Sequence, residues 1–164
     1  MKKRSAYLLL GYFILQLALP GQLVCRHYHT LRTGESYKFQ VRPYDPYDPF
    51  RGRYVALMPD LGPQGDRRGE YALLGRDADG YAVVTGWRDE RPAEGPYVKD
   101  LQLDRYYMNE KMAPQAERLS FDLDLEQNAF YLLVKVRQGR YVIAGLYVND
   151  TPIEQYLVNA DLNG

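Results

Sequence analysis

The sequence is poor in the residues that most often hold metals or form covalent links. In 164 residues it contains one cysteine, Cys25, and two histidines, His27 and His29. A single cysteine excludes a disulfide within the chain and any cysteine-rich metal site. Because both histidines directly follow the N-terminal apolar segment, a Ser-His-Asp hydrolase, which needs a histidine inside the folded domain, is not expected.

The two histidines form an H-x-H pair, which could bind zinc or copper if a strand placed both on one side. Such a site needs a third ligand with its own orienting partners, and no third ligand lies nearby in the sequence. We therefore interpret His27 and His29 as polar residues of a membrane-proximal segment, and we expect no metal and no other cofactor. Sensing of a metal or a small ligand through these histidines is a third hypothesis.

Neither sign of charge is in excess, since 21 basic residues balance 21 acidic ones. Nucleic-acid binding needs a clustered basic face, so no nucleic-acid partner is expected. The sequence also has no phosphate-cradling glycine loop and no nucleophile elbow.

What the chain does have is a long apolar segment near its N-terminus. Residues 6–24 read AYLLLGYFILQLALPGQLV, which is long enough to cross a bilayer core of about 30 Å as a helix. The preceding Lys2, Lys3 and Arg4 predict an N-terminus in the cytoplasm and a main domain outside it. A cleaved signal peptide is the alternative. We favour a retained anchor, because no small-x-small cleavage site is evident and Val24 is too large for a lipoprotein signal before Cys25.

The chain is therefore divided into three parts. Residues 1–25 are predicted to form a basic tip and a transmembrane helix, residues 26–34 a polar neck, and residues 35–164 one extracytoplasmic domain. Sixteen tyrosines suit half-exposed strand faces, where the ring packs and the hydroxyl reaches water. The predicted fold is mainly β (β-rich α+β), an antiparallel barrel- or sandwich-like domain with a short helix.

Alternating apolar residues and turn signals give the expected elements. Strands are predicted over 36–41, 53–58, 71–74, 81–87, 101–103, 129–136 and 141–148. The last two should form a hairpin through Arg137-Gln138-Gly139-Arg140. A short helix is expected over 109–119, with Pro114 in its first turn.

The stretch from Val41 to Pro59, VRPYDPYDPFRGRYVALMP, is the most distinctive in the chain. Pro43, Pro46 and Pro49 prevent further ladder pairing, so a stiff turn should separate two strands. Within it, RPYDPYDPFRGRYVAL resembles the signature of the GDYXXLXY proteins. Residues 80–100 resemble the middle of the same family, and the Arg-Tyr-Tyr segment at 105–107 and the short helix resemble it as well.

The resemblance implies a small protein of the bacterial cytoplasmic (inner) membrane, single-pass, with its domain in the periplasm. The resemblance points to no particular biochemical activity. Arg53 stands where the signature has Asp, and Pro59 stands where it has its last Tyr.

A stiff turn that presents aromatic rings and arginine has the composition of a binding surface. We predict that such a surface binds another membrane or envelope protein, beside the bilayer contact made by residues 6–24. The alternative is that the rings plug the end of the β domain while an arginine pairs with an aspartate of the turn. The predicted surface consists of Tyr44, Asp45, Tyr47, Asp48, Phe50, Arg51, Tyr54, Arg105, Tyr106 and Tyr107.

The first function hypothesis is therefore a non-catalytic interaction or accessory protein. The second is an envelope hydrolase or protease-like enzyme with a Ser-Lys dyad or a pair of carboxylates, Asp45 and Asp48. The residues flanking these groups show no catalytic motif, so we assign no catalytic residue. The dyad would combine Ser36 or Ser120 with Lys38, Lys99 or Lys135.

Overall fold

The computed structural model describes residues 2–44, 54–65, 69–125 and 127–162. These ranges contain nine strands and three helices, which confirms a mainly β protein. The helices are α1 (Lys2–Thr33), α2 (Ala113–Asp122) and α3 (Ile153–Leu162). The strands are β1 (Glu35–Pro43), β2 (Tyr54–Pro59), β3 (Tyr71–Arg76), β4 (Ala82–Arg88), β5 (Tyr97–Lys99), β6 (Arg105–Tyr107), β7 (Phe130–Arg137), β8 (Arg140–Val148) and β9 (Thr151–Pro152).

The strands form two antiparallel sheets that share one hydrophobic core. The larger sheet has the order β6-β2-β1-β7-β8-β9, and the smaller has the order β4-β3-β5. Strand β1 shows the expected alternation, because Tyr37, Phe39 and Val41 are buried while Lys38 is exposed. Core residues come from both sheets and from α2 and α3, so the two sheets and these helices fold as one unit.

The predicted hairpin of β7 and β8 is confirmed. Arg137 pairs with Arg140, which leaves a two-residue loop of Gln138 and Gly139 with φ of 51° and 77°. Positive φ at both positions is what a type I′ hairpin turn requires. Gly139 is also required by space, since a Cβ there would lie 2.5 Å from the ring of Tyr97.

One strand lies elsewhere than predicted. Residues 101–103 are irregular, and the strand is instead formed by Arg105–Tyr107. The reason is that the Tyr141 hydroxyl bonds to both backbone groups of Gln102, at 3.0 Å each, so these groups are not available to a neighbouring strand. Leu103 still packs into the core, where it is 3% exposed.

Helix α2 begins four residues later than predicted but keeps Pro114 in its first turn. Before it, the Asn109 side chain accepts the backbone N–H of Lys111 at 3.0 Å and holds a turn. The C-terminal tail forms α3, which buries Ile153 and Leu157 in the core.

Helix α1 runs through the segment predicted as a neck and ends at Thr33. Its C-terminal part contacts β7 and β8, and Thr30 is buried there. Within the residues described, no helix combines the length and the apolar character needed to cross a membrane.

Candidate functional site

Half of the predicted binding surface can be located in the structure. Tyr44, Tyr54, Arg105, Tyr106 and Tyr107 lie at or beside strands β1, β2 and β6. The remaining members, Asp45, Tyr47, Asp48, Phe50 and Arg51, lie outside the described residues, and so does the possible pair of catalytic carboxylates.

Three of the located residues converge at one edge of the larger sheet. Tyr54 of β2 pairs with Tyr107 of β6, and their ring centroids are 5.8 Å apart. The Arg105 guanidinium lies 5.4 Å from the centroid of the Tyr54 ring, within range of a cation–π contact. We call Tyr54, Arg105 and Tyr107 the aromatic edge. Tyr107 is 67% exposed, so its ring is available for contact with another molecule.

The structure separates Tyr106 from the aromatic edge. Its side chain points to the opposite face of β6, because successive residues of a strand alternate. There it packs against the core, and its hydroxyl donates to Glu154 Oε1 of α3 at 2.7 Å. Burial raises the pKa of the Tyr106 hydroxyl, and the hydrogen bond to Glu154 raises it further. Tyr106 therefore fixes β6 to α3.

Tyr44 is exposed just beyond the end of β1, and its backbone N–H donates to the carbonyl of Ala56 at 3.1 Å. Residues opposite each other on antiparallel strands share a face, and Ala56 in turn pairs with Arg105. Tyr44 therefore lies on the same face of the sheet as the aromatic edge.

Among the strands of the described residues, β6 is paired on one side only, with β2. In an antiparallel ladder only alternate residues bond to a given neighbour. The Leu57 N–H donates to the carbonyl of Asp104 at 2.9 Å, so by the same alternation Tyr106 also bonds toward β2. The N–H and C=O groups of Arg105 and Tyr107 point outward, and no backbone partner for them lies among the residues described.

A groove of about 1050 Å³ adjoins this open edge. Arg105 and Tyr107 line one side of it, and Trp87, Tyr141 and Ile143 contribute aromatic and apolar surface. Trp87 and Tyr141 were not among the predicted site residues, because strands β4 and β8 bring them to β6 only through the tertiary fold. The combination of an open strand and a groove is suited to an extended peptide.

The structure brings together one of the predicted serine–lysine pairs. Ser36 and Lys135 are opposite each other on β1 and β7, and Lys135 Nζ donates to Ser36 Oγ at 2.6 Å. Neither residue lines any of the three cavities described in this chain. Ser120 is buried within α2, where its hydroxyl donates to a backbone carbonyl at 2.7 Å.

Lys38 belongs to a closed polar cluster that joins the central strands β1 and β7 to the β8–β9 turn. Its Nζ donates to Asp150 at 2.8 Å and lies 4.6 Å from the centroid of the Tyr131 ring. The Tyr131 hydroxyl donates to the same carboxylate. The hydrogen bond from Lys38 lowers the pKa of Asp150, whereas burial and the Asp150 contact raise the pKa of Tyr131 to about 12. Each polar group of this cluster therefore has a partner.

The two histidines do not form a joint metal site. They are two residues apart on helix α1, so their side chains point in roughly opposite directions. His29 Nδ1 lies 2.9 Å from the Thr33 hydroxyl, and His27 lines a separate cavity. No group of three His, Cys, Asp or Glu side chains in the described part of the chain could hold a metal ion.

Comparison with known proteins identifies one family. The family model described as GDYXXLXY protein matches residues 16–146, which is most of the chain. No curated protein and no solved structure matches this chain. The matched range contains β6, the groove and the Ser36–Lys135 pair, and on this match the chain belongs to the GDYXXLXY family.

Proposed function

We propose that this protein is a membrane-anchored, non-catalytic accessory protein that binds an extended segment of another membrane or envelope protein along β6. The observation that carries the proposal is the outward backbone of Arg105 and Tyr107, which has no backbone partner among the described residues and lies beside the exposed ring of Tyr107 and the half-buried ring of Tyr54. Main-chain hydrogen bonds to an added strand supply affinity, and pockets for alternate side chains supply specificity.

The amino acids of β6 are typical of a strand that binds a partner, and not of an edge strand that is protected from pairing. Proteins usually protect an exposed edge with lysine, proline or a covering loop. Strand β6 has neither lysine nor proline, and it carries two tyrosines and one arginine. Tyrosine and arginine are enriched at binding hot spots, and the pairing of Tyr54 with Tyr107 fixes both rings before a partner arrives.

The membrane anchor in this proposal is residues 6–24 of α1. Apolar side chains at successive positions of this segment, including Tyr12, Phe13 and Ile14, are more than half exposed. Because successive helical positions differ by about 100°, these side chains cover more than one face of the helix. A helix that is apolar on all sides is stabilised by lipid or by burial in protein. Lys2, Lys3 and Arg4 favour an N-terminus inside the inner membrane and a periplasmic domain.

The test is in-cell crosslinking followed by purification from detergent-solubilised membranes. The test variant combines Arg105→Ala with Tyr107→Ala. A matched control combines Tyr28→Ala with Arg32→Ala, because the Arg32 guanidinium lies over the Tyr28 ring at 4.9 Å on helix α1. Both variants lose one exposed tyrosine and one exposed arginine, at different places in the fold.

We expect wild type and control to capture the same membrane or envelope protein, and the test variant to lose it by at least about ten-fold, as for a hot spot. The captured protein should contain one segment that, as a synthetic peptide, binds the purified chain. Equal capture by the two variants, or no capture by wild type, would overturn the proposal.

A Ser-Lys hydrolase is the second candidate, and the 2.6 Å hydrogen bond between Lys135 and Ser36 favours it. In such an enzyme the lysine accepts the serine proton and the hydroxyl becomes a nucleophile. A serine-acylating probe separates the two candidates. The accessory proposal expects no more labelling of wild type than of Ser36→Ala. Labelling at Ser36 that Lys135→Met abolishes would instead establish the enzyme.

A further inference from the structure

A second cavity, of about 520 Å³, lies between the C-terminal half of α1 and the β strands. Arg26 and His27 line it from α1, and residues 138–142 of the β7–β8 hairpin line it from the opposite side. Arg91 and Lys99, which precede and end β5, complete the wall. We call this the basic cavity. Its volume is in the range of small-molecule sites.

The lining of the basic cavity carries a local excess of positive charge. Four of its side chains are cationic and only one, Asp100, is acidic. The chain as a whole has equal numbers of basic and acidic residues, so this cavity is more positive than the protein around it. The four cations are Arg26, Arg91, Lys99 and Arg140.

Three of these cations, all arginines, have no carboxylate partner within the described residues. Lys99 pairs with Glu70 at 2.8 Å, and Arg91 Nε donates to the hydroxyl of Tyr97 at 2.7 Å. Arg26 and Arg140 make no ion pair in the described part of the chain. Arg140 also stands opposite Arg137 on the hairpin, where like charges repel each other. An anion in the cavity would relieve this repulsion.

The chemistry of the lining selects the class of anion. Guanidinium groups bind phosphate oxygens through two parallel hydrogen bonds, and the lining contains such a group from α1, Arg26, and one from β8, Arg140. The cavity also contains apolar surface from Leu23 and Val142, which would contact whatever carries the anion. We propose that the basic cavity binds a phosphate group carried on a small molecule or on a lipid headgroup.

The two sources differ in how they depend on the membrane anchor. Leu23 lies near the end of the apolar segment at residues 6–24, and Arg26 follows it by one helical turn. A lipid source rests on the proposed anchor, because only an embedded segment puts Arg26 at the level of the headgroups. A soluble source does not depend on the anchor. Neither depends on the aromatic edge.

The test is calorimetric titration of the full chain in an uncharged detergent. The soluble probes are inorganic phosphate and glycerol 3-phosphate, and the lipid probes are dihexanoyl phosphatidylglycerol and dihexanoyl phosphatidylcholine. The test variant combines Arg26→Gln with Arg140→Gln. The control combines Arg32→Gln with Arg88→Gln, two exposed arginines that do not line the cavity.

We expect at least one anionic probe to bind wild type and the control alike, and to bind the test variant about ten-fold or more weakly, since two charge-assisted contacts are lost. Binding of phosphatidylglycerol alone identifies a lipid source, and binding of glycerol 3-phosphate or inorganic phosphate identifies a soluble one. If no anionic probe binds wild type, or if the two variants bind equally, the inference is wrong.

Circular dichroism first establishes that each variant is folded. If the double variant is not folded, Arg140→Gln alone replaces it, because Arg140 is exposed at a hairpin turn and its loss removes no core contact. The single variant should still weaken binding several-fold. Because the titration uses no protein partner, failure of phosphate binding leaves the β6 proposal intact, and loss of partner capture leaves the phosphate site intact.

Discussion

The two edges of the six-stranded sheet are built in opposite ways. At the β9 edge the strand has only two residues, Thr151 and Pro152, and the chain turns directly into α3. At the β6 edge the outward backbone groups of Arg105 and Tyr107 have no partner among the described residues, and aromatic rings stand beside them. The β9 edge is closed to further strands and the β6 edge is open.

The turn that leads into the closed edge is held by hydrogen bonds from distant parts of the chain. Asn149 and Asp150 have φ of 48° and 64° and form a two-residue turn between β8 and β9. The Asn149 side chain accepts the backbone N–H of Ala129 at 2.9 Å, and Asp150 is held by Lys38. A proline in a short edge strand prevents further pairing. The contrast supports the proposal that β6 pairs with a partner segment, since the same sheet protects its other edge.

The largest expected effect is a difference in how much the two edges contribute to the free energy of unfolding. Ile153 is fully buried where α3 covers the core, so Ile153→Ala should lower the free energy of unfolding by about 2–5 kcal/mol. Tyr107→Ala removes an exposed ring and one cross-strand contact, and it should cost about 1 kcal/mol or less. Urea unfolding followed by circular dichroism measures both. Similar losses for the two variants would mean that the open edge is a structural element.

The next effect tests whether the backbone of β6, and not only its side chains, binds the partner. Tyr107→Pro removes an N–H that points away from the sheet, and Tyr107→Ala keeps it. We expect the proline variant to bind the partner peptide about ten-fold more weakly than the alanine variant, because it prevents strand addition. Fluorescence anisotropy with a labelled peptide measures the difference. Equal affinities would show that side chains alone make the contact.

A third effect concerns the stability in alkali of the Tyr131–Asp150 contact, which links β7 to the turn before the closed edge. Because the folded pKa of Tyr131 is about 12, above the ordinary value near 10, folding favours its neutral phenol. The resulting stability is fully present below pH 10 and is lost as the pH rises toward 12. In Tyr131→Phe the free energy of unfolding should therefore fall less over this interval than in wild type. Urea titrations at pH 9 and pH 12 test this, and parallel losses would contradict it.

The smallest effect concerns the contact of Arg105 with the Tyr54 ring. Arg105→Lys keeps the charge but loses the planar group that lies 5.4 Å from the ring centroid. We expect affinity for the partner peptide to fall about two- to five-fold, as for one exposed cation–π contact. Arg32→Lys on α1 is the control and should leave affinity unchanged. A full loss of binding in Arg105→Lys would indicate a direct bond from the guanidinium to the partner.

Prediction from the sequence was most accurate for elements that depend on residues close together in the chain. The β7–β8 hairpin follows from its apolar runs and from Gly139, and Pro114 marks the start of α2. The strand expected at 101–103 was wrong because Tyr141, about 40 residues away in the chain, binds the backbone of Gln102. The alternation of apolar and polar residues at 101–103 cannot reveal a contact with a residue so far away in the chain.

Residues of the candidate site were predicted only where they lie in the motif stretch from Val41 to Pro59 or in the strand that pairs with it. Tyr54 lies within the motif stretch, and the Arg-Tyr-Tyr segment contains Arg105 and Tyr107, so the predicted binding surface included residues from both strands of the aromatic edge. The basic cavity could not be predicted, because its four cations come from α1, a loop, β5 and β8, and no spacing along the chain reveals them. The Ser36–Lys135 bond likewise depends on the pairing of β1 with β7.

Hydrogen exchange at β6 tests the central claim most directly. The backbone amides of Arg105 and Tyr107 point outward, whereas that of Tyr106 already bonds to β2. In the full chain with saturating partner peptide, exchange at Arg105 and Tyr107 should slow by about ten-fold or more while Tyr106 changes little, as strand addition requires. Unchanged exchange at Arg105 and Tyr107 in the saturated complex would show that the partner does not pair with this edge.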